Sequence, residues 1–249
     1  MKNPLPALAR RARRGLRKTR APPAAFMEVE RAESSFYLAY LREGMTVFDV
    51  GANVGELTLL FSKFVGVGGS VHAFEPGGEA FARLDAVCRA SARRNVILNR
   101  LALSDREGSV GLHVYDGAHL GWSSFAARPL ESYGISVGAP SAEDVAATTV
   151  DEYCRRNGVA RIDLLKIDVE GAEYQVLLGA RRMLRQKLVG CVVFEFGQTT
   201  FDMGNDPEDI EAYLKGLGYK LRNVVAGDPI FPGRASAQSA CYSMHVAMP

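Results

Sequence analysis

Between residues 45 and 248, short runs dense in Val, Ile, Leu and Phe alternate with longer amphipathic stretches, and this alternation limits the chain to few architectures. MTVFDV (45–50), SVHAFE (70–75), NVILNRLAL (95–103), RIDLLKIDV (161–169) and LVGCVVFEF (188–196) read as strands. GELTLLFSKFV (55–65), EAFARLDAVCRASA (79–92), AEYQVLLGARRMLRQ (172–186) and PEDIEAYLKGLG (207–218) read as helices between or after them. Strands apolar on both faces belong to a parallel sheet covered on both sides, and right-handed crossovers make it doubly wound. The C-terminus breaks the rule. YKLRNVV (219–225) and CYSMHVAM (241–248) are joined by a Gly/Pro-containing loop with no room for a helix, which predicts a hairpin. The expected fold is therefore an α/β sandwich on a seven-stranded, mostly parallel, Rossmann-like sheet with an antiparallel C-terminal strand.

The 249 residues are 47% hydrophobic and 23% charged, which excludes collagen-like, low-complexity and wholly disordered classes. No apolar run approaches the ~20 residues of a membrane-spanning helix. The four cysteines, Cys88, Cys154, Cys191 and Cys241, form no CxxC pair, so a disulfide framework or structural zinc is not expected and a cytoplasmic setting fits. Residues 1–20 hold eight of the 30 Lys/Arg and no Asp or Glu, leaving the remainder with six more acidic than basic side chains. That balance argues against a nucleic-acid groove in the folded part. The expected organisation is a basic, disordered leader over 1–24 and one domain over 25–249. A helix is expected over 28–43, and an irregular substrate-side insertion over about 104–147.

The strongest chemical signal is Asp49-Val50-Gly51-Ala52-Asn53-Val54-Gly55 at a strand-to-helix junction. Glycines there let the backbone approach a ligand, and the helix start offers free N–H donors. Glu75 ends the next strand, where a carboxylate can take both hydroxyls of a ribose. Together these point to a nucleotide-like cofactor. A dinucleotide fingerprint requires glycine at position 53, which is Asn53 here. Asp49 would repel a pyrophosphate and suits the ammonium end of S-adenosylmethionine. The terminal hairpin points the same way, towards methyl transfer rather than hydride transfer.

VFDVGANVGELT (47–58), HAFEP (72–76), NVILNRLALSD (95–105), TTVDEY (148–153), LLKIDVEGAE (164–173) and VVFEF (192–196) together resemble the FkbM family of S-adenosylmethionine-dependent methyltransferases. KIDVEGAE is the distinctive segment. The resemblance spans residues 45–225 and implies the class I methyltransferase fold. It places Asp49, Gly51, Asn53 and Gly55 at the methionine end of the cofactor and Glu75 on the ribose, with Pro76 turning the chain away. It sets Ala102, Leu103 and Ser104 beside the adenine. The acceptor it implies is a hydroxyl of a small molecule of secondary-metabolite, sugar or polyketide type.

Asp168 and Glu170 follow the fourth parallel strand and are expected in the cleft as base or substrate anchor. The alternative is a buried ion network of Lys166, Asp168 and Glu170 that fixes the turn. Asp168 and Glu195 end neighbouring strands and are candidate ligands for Mg²⁺. His113 and His119 flank the irregular insertion and are further candidate bases, whereas His72 and His245 read as structural. Trp122 of GWSSF either lines the substrate pocket or pins a loop. Two other functions stay open at this point: an NAD(P)-dependent oxidoreductase, and a cofactor-binding protein without catalysis.

Overall fold

The computed structural model describes residues 24–115, 117–133, 135 and 138–249. Residues 1–23 of the leader expected over 1–24 lie outside them, and Ala24 begins α1. In chain order the elements are α1 (Ala24–Tyr40), β1 (Thr46–Val50), α2 (Glu56–Val65), β2 (Ser70–Phe74), α3 (Gly78–Ala90) and β3 (Val96–Asn99). Then come β4 (Ala102–Leu103), β5 (Gly108–Val114), β6 (Ser141–Thr148), α4 (Val150–Asn157) and β7 (Leu164–Ile167). The last are α5 (Glu173–Gly179), α6 (Arg181–Arg185), β8 (Val192–Phe196), α7 (Gln198–Asp202), α8 (Pro207–Gly216), β9 (Lys220–Asn223) and β10 (Ser243–Met248). Two 3-10 turns, Gly117–Trp122 and Leu130–Tyr133, lie between β5 and β6.

The seven-stranded sheet has the order β3-β2-β1-β7-β8-β10-β9. Strands β3 to β8 in that order run parallel, and β10 is antiparallel to both β8 and β9, as the terminal hairpin predicts. Sheet order reverses between β1 and β7, so the loops after their carboxyl ends flank the crevice where such sheets bind ligands. Successive side chains alternate across the sheet. Phe48, Val50, Leu165, Ile167, Phe194 and Phe196 face one layer, where Tyr153, Val176, Leu177, Met183 and Ile210 cover them. Val47, Val71, Leu164, Val193 and Val246 face the other, covered by Val29, Tyr37, Leu41, Leu57 and Phe61. Each such side chain contributes roughly 1.5–3 kcal/mol on full burial. The two layers therefore hold the sheet rigid beneath the crevice.

Three elements differ from expectation. The run 95–103 divides: β3 joins the main sheet, while β4 pairs with β6 in a separate sheet of order β4-β6-β5. The run 172–186 is two helices, because Ala180 leaves helical geometry at ψ 13°. Just before it, Gly179 packs so closely that a β-carbon would stand 2.0 Å from the Ser104 carbonyl oxygen. Strand β6, polar in sequence, was not expected and is held by a seven-residue antiparallel register with β5. Among the described residues no helix is long and apolar enough to cross a membrane.

Candidate active site

The loop after β1 is shaped by what lies beneath it. Gly51 has φ +76°, and a β-carbon there would stand 1.8 Å from the Asp168 carbonyl oxygen, so only glycine fits. Asn53 is left-handed at φ 48° and donates its backbone N–H to Glu75 Oε2 at 2.9 Å. Gly77 N–H donates to the other oxygen, Oε1, at 2.9 Å. Glu75 thus ties the loop after β1 to the loop after β2. Burial pushes its carboxyl up to about 7, against the lowering effect of the two N–H donors.

Asp49 is fully buried and lines neither cavity of the site. Its Oδ2 accepts from the Thr58 hydroxyl at 2.6 Å, and its Oδ1 faces Lys166 Nζ at 3.0 Å. Lys166 Nζ in turn donates to the carbonyls of Val50 at 3.2 Å and Gly51 at 2.9 Å. Asp49 therefore acts on the loop through Lys166, and Lys166 is the member that reaches the cavity. Gly55 and Ser104 also lie outside both cavities. A β-carbon at Gly55 would stand 2.6 Å from Leu84 Cδ1, which makes it a packing position.

The turn after β7 carries the carboxylates. Glu170 is left-handed at φ 54° and Gly171 follows at φ 105°. Glu173, buried at the start of α5, accepts from the N–H groups of Val169 at 3.0 Å and Gly171 at 3.2 Å. Its own carboxyl is pushed up to about 8, by burial first and the nearby Glu195 second. Ser124 Oγ donates to the Glu170 carbonyl at 2.8 Å, and Asn205 Nδ2 to that of Gly171 at 2.8 Å. Arg128 Nη1 meets Glu170 Oε2 at 3.1 Å, and its Nε meets Asp202 Oδ2 at 3.4 Å. Oxygens of Asp168, Glu170 and Glu195 lie within 4.8 Å of one another, while Lys166 Nζ stands 3.7 Å from Asp168 Oδ2. Of the expected network of Lys166, Asp168 and Glu170, Lys166 faces Asp168, whereas Glu170 pairs with Arg128.

Two adjoining cavities share Gly51, Asn53, Gly121 and Glu170. The larger, about 430 Å³, is lined by Gly51–Val54, Lys166, Glu170, Glu195, Gln198, Thr199, Trp122 and Arg128, closed by Phe26 and Glu30 of α1 and by Tyr242. The smaller, about 50 Å³, is lined by Glu75, Pro76, Ala102, Leu103, Asp168, Leu112, Leu120 and Phe125. Glu75 beside the apolar side chains of Ala102, Leu103, Leu112 and Phe125 suits a ribose and a base, which fits an adenosyl cofactor, while Asp168 and Glu170 line the same cavity. His119 lines neither cavity; its ring lies 4.7 Å from that of Trp122. His113 hydrogen-bonds through its backbone to Ser124 within the insertion. His72 is buried against Tyr153, and burial takes it down to about 4. His245, at 0% exposure, is lowered by burial to about 3, so both stay neutral.

Sequence reading missed Arg128, Phe26, Glu30, Tyr242, Gln198 and Thr199. Acidic residues on an otherwise apolar face of α1 were one available signal. Arg128 lies in an irregular segment whose sequence carries no periodicity to place it, and Tyr242 sits directly before β10, at the edge of the run 241–248 read as a strand.

The sheet order and the loops after β1, β2 and β7 define a class I S-adenosylmethionine-dependent methyltransferase. The FkbM methyltransferase domain model matches residues 49–221. The chain belongs to this FkbM family. It is 34% identical over 229 residues to the 31-O-demethyl-FK506 methyltransferase FkbM of Streptomyces tacrolimicus, covering 80% of this chain and 81% of that one. It is 28% identical over 173 residues to the hexuronic acid methyltransferase AglP of Haloferax volcanii, covering 69% and 62%. The solved FkbM methyltransferase of Methylobacillus flagellatus superposes with a TM-score of 0.51 at 13% identity, covering 97% of this chain and 58% of that chain.

Proposed function

We propose that the protein transfers a methyl group to a hydroxyl of a small molecule of secondary-metabolite, sugar or polyketide type. The observation that carries this reading is the pair Asp168 and Glu170, of which Glu170 lines both cavities and Asp168 the smaller, beside the Gly51–Asn53 loop. The smaller cavity would hold the adenosine of S-adenosylmethionine, with Glu75 on the ribose hydroxyls and Ala102, Leu103 and Leu112 against the base. Gly51 and Asn53 would flank the methionine end, and Pro76 turns the chain clear of the ribose. When bound, the cofactor supplies an electrophilic methyl carbon attached to sulfur.

This chain's residues then have three tasks. The walls of the larger cavity orient the acceptor, with Trp122, Phe26 and Tyr242 giving apolar contact. A hydroxyl oxygen must reach about 3–3.5 Å from the methyl carbon. Asp168 or Glu170 accepts its proton, a role typically worth ~10²–10⁴-fold. His119, outside both cavities, has no part in this scheme.

The clustered oxygens of Asp168, Glu170 and Glu195 are a set that suits a divalent cation in chemical type. Two of the three already face a cation, Lys166 or Arg128, at 3.7 and 3.1 Å. We therefore leave Mg²⁺ out of the scheme.

Thermal unfolding with S-adenosylmethionine, S-adenosylhomocysteine, NADH and NADPH in large excess tests the cofactor. A ligand at 100 times its Kd adds ~2.7 kcal/mol, or about 5–10 °C for a domain of this size. Stabilisation by the adenosyl ligands alone supports the reading and leads to mass-based screening of hydroxylated acceptors. Stabilisation by a nicotinamide nucleotide instead would overturn it.

A further inference from the structure

The insertion between β5 and β6 lies across the crevice that would receive the nucleoside. Leu120, Gly121, Ser123 and Phe125 roof the smaller cavity, whose floor is Glu75, Ala102 and Leu103. What remains is about 50 Å³, far below the ~300 Å³ at which small-molecule sites begin. The roof sits tightly: a β-carbon on Gly121 would stand 2.9 Å from Asn53 Nδ2. A nucleoside confined to the smaller cavity needs more room than the roof leaves in its present position.

The roof is also fastened on its far side. Arg128 is 9% exposed and joins Glu170 and Asp202, two carboxylates from the turn after β7 and the end of α7. Ser124 Oγ adds its bond to the Glu170 carbonyl. A buried guanidinium between two carboxylates keeps its geometry strongly, because breaking either contact leaves a charge poorly solvated. Both fastenings converge on Glu170, a residue that lines both cavities.

We propose that residues 117–130 form a lid over the cofactor crevice, that Arg128 is its latch on Glu170 and Asp202, and that the lid lifts before an adenosyl cofactor enters. This rests on the methyltransferase reading. Closing the lid positions Glu170 and brings Trp122 to the acceptor cavity, so cofactor entry and assembly of the acceptor site become one event. Arg128 is thus a positioning residue.

The chain's one tryptophan, Trp122, lies in the lid and reports on it. The experiment is stopped-flow tryptophan fluorescence on the full chain mixed with S-adenosylhomocysteine, together with calorimetric binding of the same ligand. Opening before binding predicts an observed rate that saturates with ligand concentration. Arg128→Gln should raise that plateau at least fivefold, and Arg128→Lys should raise it less. Ser124→Ala, which removes the bond to the Glu170 carbonyl and the acceptor of the Ala126 N–H without disturbing a charge, should raise it about twofold and serves if Arg128→Gln does not fold. A rate that stays linear in ligand, or a plateau unmoved by both Ser124→Ala and Arg128→Lys, overturns the lid while calorimetric binding keeps the methyltransferase reading intact. Absence of calorimetric binding to the wild-type chain overturns that reading and the lid with it.

Discussion

Asp49 and Lys166 stand opposite each other in the parallel register of β1 and β7, with Oδ1 and Nζ 3.0 Å apart and both side chains almost fully buried. The same ammonium holds the carbonyls of Val50 and Gly51. One ion pair thus sets the loop that would carry the cofactor.

Lys166→Met leaves Asp49 buried beside Thr58 without its cation. Removing one partner of a buried pair costs about 3–5 kcal/mol. Urea unfolding should show a loss of that size, and the double variant Asp49→Asn/Lys166→Met should recover part of it. A single-variant loss below about 1 kcal/mol would show that the pair does not stabilise the loop.

Glu75 gives the pH dependence. Its folded carboxyl, at about 7, lies above its ordinary value of 4.5 because it is buried. Between those values the folded protein retains a proton that the unfolded chain releases. Glu75 therefore lowers stability as pH rises through that window. Ribose hydroxyls would donate to the ionised form, so S-adenosylhomocysteine affinity should increase from pH 6 to 8 with proton release. Calorimetry at pH 6.5 in buffers of different ionisation enthalpy measures that proton. Glu75→Gln should abolish the release and weaken binding more than tenfold; unchanged affinity would remove Glu75 from the ribose site.

Asp168→Asn keeps the size of the side chain and removes a proton acceptor. With an acceptor in hand, turnover should fall by about 10²–10⁴-fold. S-adenosylhomocysteine affinity should stay within about threefold. Collapse of cofactor binding along with turnover would make Asp168 a structural member of the Lys166 network.

Turnover should survive EDTA, since Lys166 and Arg128 already face two of the three clustered carboxylates. Loss of turnover in EDTA, restored by added Mg²⁺, would put a cation among Asp168, Glu170 and Glu195.

Strands β1, β7 and β8 were legible because each is buried on both faces, so VFDV, LLKI and VVFEF can be little else. SAEDVAAT resisted reading, since β6 exposes half its residues and owes its form to the β5 register. In the site, Gly51 and Glu75 were read from local pattern, since a βα turn and a strand end are short-range features. Asp49, expected at the methionine end of the cofactor, pairs with Lys166, 117 positions away. Its alternation put it on the α2 face of the sheet, and only strand pairing decides what waits there.

The sequence by itself determined the layered α/β sheet, the reversed terminal strand, the glycine loop and the carboxylates after β2 and β7. Hydrophobic period and turn chemistry act over a few residues and leave their mark in every chain that uses them. The tertiary structure alone decided that Lys166 neutralises Asp49, that Arg128 joins the insertion to Glu170 and Asp202, and that α1 closes the acceptor cavity. Those contacts join segments far apart in sequence through single charged or aromatic side chains, and their energies depend on burial and distance that no local pattern encodes.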